Sequence, residues 1–294
     1  MNNTQRKIGL GLPSIKNHPR FGPMGAMTKR LLFVIFHVVL ALGMREFAII
    51  STSHALLVLG IGVFTALTAK EVKKVIPVAA YIMGAEVLWR MTDANVFWEF
   101  GKYAIVAIFV VALLKHGKIK KAGLPVLFFI FLIPSILLTV ESFGFSDPTR
   151  EMISFNLSGA LAVSVCILFF RQIKIGISEI RTWVWYLIFP AIGIFALAAY
   201  STLTATNIDF GSESLFVTSG GYGPNQVSAI LGLGALLLAL LAISGDKGTF
   251  RTWAILIASI LLVQSFLTFS RGGVYNFAIA LTGAVIHLLG KPDK

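Results

Sequence analysis

The chain has 294 residues, of which 56% are hydrophobic and only 13% charged, and its formal net charge is +12. Soluble domains carry roughly 25% charged residues, so this composition excludes an ordinary soluble enzyme or binding module. The positive balance does not call for nucleic acid, because basic loops on the cytoplasmic side of a membrane protein give the same total.

Residues 1–30 are polar and basic, with Arg6, Lys7, Lys16, Arg20, Lys29 and Arg30. No short apolar stretch with a small-residue cleavage site precedes them, so they read as a cytoplasmic tail and not as a signal peptide. Ten apolar runs follow, at about 31–43, 48–68, 75–91, 103–114, 122–140, 153–170, 182–200, 225–243, 252–269 and 273–290. A transmembrane helix needs about 20 residues, so the first and fourth runs must borrow flanking residues or tilt less than their neighbours. The pattern predicts an all-α, polytopic transmembrane bundle of about ten spans. It forms one domain over 31–294, with both termini cytoplasmic. No internal repeat or composition shift marks a second domain.

Charge orients the bundle. With the N-terminus inside and the runs alternating, twenty of the 25 Lys and Arg residues fall on the cytoplasmic side. The outer side keeps Arg45, Arg90, Lys102, Arg150 and Arg271, together with nine of the 13 acidic residues. This is the asymmetry of the positive-inside rule. The longest outer loop is about 201–224, rich in Ser, Thr and Gly, and loops of that length are often functional.

The outer side also holds the residues able to carry chemistry. Ser270-Arg271-Gly272-Gly273 lies between two apolar runs. It reads either as an interfacial arginine in a turn that the glycines permit, or as an anion site. In the second case the guanidinium fork meets phosphate oxygens and backbone N–H groups at a helix start approach the same anion. Gly220-Gly221-Tyr222-Gly223-Pro224-Asn225-Gln226 is an ordinary helix start, yet Asn225 and Gln226 put two amides at the outer end of a span. In 81–103, Glu86 and Arg90 stand four apart and pair on one helix face. They are either a self-neutralised pair or, with Lys102 or Arg45, further phosphate contacts oriented by Glu86, Asp93 or Glu99. Trp89, Trp98 and Tyr103 suit an interfacial belt or a sugar platform equally.

A GPNQ-type helix start followed about 45 residues later by an SRG-type turn resembles the O-antigen ligase/O-antigen polymerase family of membrane glycosyltransferases. The likeness is specific at 221–234 and 266–282 and looser at 81–103. It implies a type C glycosyltransferase-like bundle in the bacterial inner membrane. Its activity would be transfer of an undecaprenyl-diphosphate-linked glycan on the periplasmic face, to lipid A core or to another glycan, in lipopolysaccharide and related polysaccharide biosynthesis. It also implies that Arg271 holds the lipid diphosphate, with Ser270, Gly272, Asn225, Gln226, Tyr222, Arg90, Glu86, Glu99 and Lys102 around the donor. Neither a metal nor another cofactor is implied, and HExxH, EF-hand, Rossmann and P-loop patterns are missing.

The family's second arginine and its histidine, the expected general base, belong to a large periplasmic loop further along. No histidine of this chain lies in an outer loop: His18 and His116 are cytoplasmic, His287 is near the cytoplasmic end, and His37 and His54 are within runs. The chain is therefore expected to be the front part of a longer transferase, or to need a partner. Cys166 reads as a small core or lipid-facing residue, and the Gly60/Gly62 and Gly232/Gly234 pairs as packing residues. Two alternatives stay open: a transporter or flippase of lipid-linked glycans, and a non-catalytic fragment that only binds.

Overall fold

A computed structural model describes residues 25–116, 123–208, 213–244 and 249–290. Most of the 1–30 tail, residues 1–24, lies outside the described residues, as do parts of the loops at 117–122, 209–212 and 245–248 and the last four residues. Among the described residues the secondary structure is entirely helical. The order is α1 (Ala26–Glu46), α2 (Ala48–Thr68), α3 (Ile76–Met91), α4 (Phe100–His116), α5 (Gly123–Ile130), α6 (Pro134–Phe143), α7 (Asp147–Phe170), α8 (Ile177–Thr204), α9 (Pro224–Ser244), α10 (Thr249–Leu267) and α11 (Arg271–Leu289).

Each of the ten apolar runs falls on helix, and one run is divided. The segment 122–140 becomes α5 and α6 because Pro134 has no N–H to continue the hydrogen-bond ladder, and residues 131–133 form a turn. Pro190 is instead carried inside α8 without ending it, buried on every side by neighbouring helices.

Six helical stretches of 18 residues or more are apolar enough to cross a membrane: Ala48–Thr68, Gly123–Phe143, Asp147–Phe170, Ile177–Thr204, Pro224–Ile243 and Phe250–Leu267. Their lengths match the hydrocarbon core of a bilayer, about 30 Å at 1.5 Å per residue. The chain thus has the build of a multi-pass membrane protein. By contrast, α3 and α4 have only 16 and 17 residues. Many large apolar side chains face outward, among them Leu124, Phe131, Leu137, Ile279 and Ile286, a surface that suits lipid and not water.

Contacts at the helix ends sort the helix termini into two ends of the molecule. At one end, Arg30 near the start of α1 stacks on the rings of Trp185 and Phe250, both at 4.8 Å, near the starts of α8 and α10. There too Lys115, at the end of α4, donates to the Ala69 carbonyl just beyond α2 (2.9 Å). At the other end, Arg45 in the last turn of α1 lies 4.2 Å over Tyr200, near the end of α8. The Asn95 N–H just beyond α3 donates to Thr52 Oγ1 near the start of α2 (2.8 Å). These are the Lys73 end and the Arg90 end of the molecule.

The core centres on α3, α8 and α9, and close helix crossings depend on small residues. A Cβ on Gly84 would sit 2.4 Å from the Leu187 carbonyl oxygen, one on Gly62 2.2 Å from Ile108 Cδ1, and one on Gly232 2.5 Å from the Gly273 carbonyl oxygen. Gly60, by contrast, faces open space. The rings of Phe109 and Phe169 stack 3.9 Å apart at 7° and fasten α4 to α7, a contact worth about 1 kcal/mol beyond the area it buries.

Candidate functional site

The site at the Arg90 end is assembled from three separate stretches of sequence. Arg90 is in the last turn of α3 with its side chain 15% exposed. It donates to Gln226 Oε1 at 2.8 Å and to the Trp98 carbonyl at 2.6 Å, and it forms an ion pair with Glu86 one turn earlier. Its guanidinium carbon lies 4.5 Å above the Trp98 ring. The Nε of Arg90 is buried with no acceptor among the described residues. Glu86 and Arg90 thus pair as their spacing predicts. Even so, the arginine keeps one buried donor unused, and its side chain lines a cavity of about 160 Å³ with Glu86, Asp93, Phe97, Trp98 and Gly101. Gly101 is needed here because a Cβ would come 2.8 Å from the Glu86 carboxyl group.

Gln226 ties this arginine to the second stretch. It is in the first turn of α9 and also accepts from the Tyr222 hydroxyl at 3.3 Å. The Tyr222 ring approaches that of Trp98, with centroids 6.3 Å apart. Partial burial pushes the Tyr222 phenol above its ordinary range, so it stays a neutral donor. The chain reaches α9 through Gly220 and Gly221, whose φ values of 71° and 80° require glycine.

The third stretch is the SRGG turn. Ser270 Oγ, just before α11, donates to Asn225 Oδ1 at 2.7 Å and so joins the starts of α9 and α11. Beneath them, the buried hydroxyl of Ser228 lies 3.0 Å from Ser265 Oγ and donates to the Ser270 carbonyl at 3.0 Å. The two glycines do different work from that expected of them. The turn is made by Phe269, with φ 57°, and not by Gly272 or Gly273. A Cβ on Gly273 would lie 2.0 Å from the Ser228 carbonyl oxygen, so this glycine lets α11 cross α9 closely, whereas Gly272 faces open space. Arg271 is exposed at the first position of α11, with no hydrogen bond or ion pair to any described residue.

Two helix N-termini, Arg90 and two amides therefore meet within one hydrogen-bonded patch, and Arg271 follows Ser270 exposed at its edge. Helix starts carry roughly half a positive charge each and unpaired N–H groups, so the patch favours an anion with several oxygens. Glu86 offsets one of the arginines.

Glu99 and Lys102 turn toward α7. Glu99 is buried and accepts from Ser154 Oγ at 3.4 Å, and Ser154 also meets the Tyr103 hydroxyl at 3.0 Å. Lys102 Nζ donates to Ser158 Oγ at 3.2 Å. Glu99, Tyr103 and Ser154 border a groove of about 1110 Å³ between α4 and α7, lined also by Trp98, Arg150 and Phe155, whereas Lys102 is not in its lining. Trp98 is common to this groove and to the Arg90 cavity. Arg45, stacked on Tyr200, makes no contact with the Arg90 cluster.

The histidines form a separate arrangement. Trp89 Nε1–H donates to His54 Nδ1 at 2.9 Å, His54 Nε2 and His37 Nε2 meet the Tyr81 hydroxyl at 2.9 and 3.0 Å, and His37 Nδ1 meets the Phe33 carbonyl at 2.7 Å. Indole only donates and a carbonyl only accepts. One assignment therefore satisfies every atom: His54 neutral with its proton on Nε2, Tyr81 donating to His37, and His37 neutral with its proton on Nδ1. Both rings are structurally occupied, and Trp89 is a core residue and not part of an interfacial belt. No group of three or more potential metal ligands occurs among the described residues. Compared with protein-family models, with curated proteins and with solved structures, the chain matches none.

Proposed function

We propose that the chain is a membrane glycan transferase of the O-antigen ligase or polymerase type. It docks an undecaprenyl-diphosphate-linked glycan at the Arg90 end, on the periplasmic face of a bacterial inner membrane. The observation that carries this reading is the meeting of the three sequence stretches on which the resemblance rests. Gln226 of the GPNQ start bonds Arg90 of 81–103 at 2.8 Å, and Asn225 of that start bonds Ser270 of the SRGG turn at 2.7 Å.

In this reading the ten apolar runs are ten spans with both termini cytoplasmic. The diphosphate lies against Arg271, Asn225 and the exposed part of the Arg90 side chain, and the glycan extends over Trp98 into the groove bordered by Glu99 and Tyr103. An acceptor hydroxyl oxygen attacks the anomeric carbon, the bond to the diphosphate breaks, the polyprenyl diphosphate leaves with the electron pair, and the hydroxyl proton is released to solvent. The arginines stabilise the charge growing on that leaving group. His37 and His54 are held by Tyr81 and Trp89, so the part assigned to this chain is donor binding and leaving-group stabilisation. The acceptor, whether lipid A core or a further glycan, approaches from the groove side.

Transport of the same lipid-linked glycan is the second reading, favoured by one observation, the buried His37–Tyr81–His54 chain. Ionisable groups inside membrane helices often mark proton or substrate paths. This chain, however, ends on a donor-only indole and an acceptor-only carbonyl. A proteoliposome assay separates the two: transfer releases polyprenyl diphosphate, and transport moves the intact lipid-linked glycan. Release of polyprenyl diphosphate together with glycosylated acceptor supports the proposal, and translocation without release overturns it.

A further inference from the structure

At the end of the molecule opposite Arg90, three helix ends distant in sequence close around a cavity of about 310 Å³. Lys70 and Lys73 come from the connection after α2, His116 from the end of α4, and Gln172 and Lys174 from the connection after α7. Lys73 is already neutralised, bound to Glu179 at 2.7 Å with Glu71 at 3.6 Å. Lys70 and Lys174 are exposed and have no hydrogen bond or ion pair to any described residue. Lys73 thus has one carboxylate in excess, but Lys70 and Lys174 together leave the cavity a net positive charge on two sides.

It also carries an unused acceptor. Gln172 Nε2 donates to the Leu168 carbonyl at 3.2 Å, while its Oε1 is buried with no donor among the described residues. Two free cations call for an anion, and a buried carbonyl oxygen calls for a hydroxyl or amine on the same ligand. The remaining wall includes Val72, Leu113 and Ile173. The helices that lead to the cavity present exposed Leu67, Leu114 and Phe170 just before their ends. Apolar side chains on the approach with cations at the rim match the layering of a phospholipid, chains below and headgroup above.

We propose that this cavity binds the headgroup of an anionic phospholipid, its phosphodiester between Lys70 and Lys174 and a headgroup hydroxyl donating to Gln172 Oε1. The chemistry is that of a phosphatidylglycerol-type lipid. Soluble glycerol 3-phosphate presents the same phosphate and hydroxyl without the chains, and the apolar approach favours the lipid. The site lies at the other end of the helices from the glycan-donor site and does not depend on that reading.

The test is native mass spectrometry of the full chain released from nanodiscs of equal phosphatidylglycerol and phosphatidylcholine content. Phosphatidylglycerol should be retained at least tenfold over phosphatidylcholine, and the Lys70→Gln/Lys174→Gln variant should lose that preference at an unchanged unfolding temperature. Gln172→Leu should keep the preference over phosphatidylcholine. It should lose any preference for phosphatidylglycerol over phosphatidylmethanol, which has the same phosphodiester and no hydroxyl. Equal retention of the two bulk lipids, or full retention in the double variant, overturns the site. Complete displacement by millimolar glycerol 3-phosphate overturns the lipid as its occupant.

Discussion

Arg90 and Gln226, 136 residues apart in the chain, share a hydrogen bond of 2.8 Å that joins the end of α3 to the start of α9. The same guanidinium pairs with Glu86 and covers Trp98, so it organises the Arg90 end as well as lending charge to it. Replacing Arg90 with Met strands the Glu86 carboxylate in a mostly buried position. Allowing for the residual exposure of both side chains, the expected loss is about 2 kcal/mol. Adding Glu86→Gln should recover at least half of it. Thermal unfolding of the single and double variants in detergent checks this coupling, and purely additive losses would show that the pair is not a unit.

The two glycines after Arg271 should behave differently. Gly273→Ala forces a methyl group against the Ser228 carbonyl and should cost about 1–3 kcal/mol as α11 is pushed from α9. Gly272→Ala points into open space and should change stability by less than about 1 kcal/mol. Unfolding temperatures of the two variants decide between this packing role and a shared role in the turn. Similar losses at both positions would favour the turn.

Among the described residues Tyr81 is the only hydroxyl between His37 and His54, at 3.0 and 2.9 Å. Tyr81→Phe leaves a ring acceptor on one histidine and an N–H on the other unpaired, at a cost of about 1–3 kcal/mol for each buried group. Trp89→Phe leaves only His54 Nδ1 unpaired and should cost less in hydrogen bonding, although it also leaves a cavity. Chemical denaturation gives both values. A Tyr81→Phe protein as stable as wild type would mean that the relay does not hold α1, α2 and α3 together.

The helices were legible because long apolar runs bounded by charge can do little else in a membrane. The break at Pro134 was available from a missing N–H, yet it was hidden inside a continuous apolar run. Glu86 and Arg90 were legible because helical periodicity sets neighbours four apart. The junctions Arg90–Gln226 and Asn225–Ser270 depend on which helices are neighbours, and hydropathy does not encode that. Ser228 and Ser265 look like incidental small residues in apolar helices, and only the crossing of α9, α10 and α11 brings them beside Ser270. Histidines 37 and 54 could be placed within apolar runs, but their common partner Tyr81 carries no local signal. Position along the helix was also insufficient for Glu99 and Lys102, since their direction follows from α7 packing on α4.

Docking of a lipid-linked diphosphate at the joined starts of α9 and α11 is the central claim, and Arg271 is the residue that isolates it. Arg271 is exposed and has no described partner, so its removal should leave the fold unchanged. The measurement is the affinity of the full chain in nanodiscs for a polyprenyl diphosphate, wild type against Arg271→Ala. The expected result is at least a tenfold loss, about 1.4 kcal/mol, at an unchanged unfolding temperature. Equal affinity in the two proteins would contradict the assignment of this end of the molecule as the donor site.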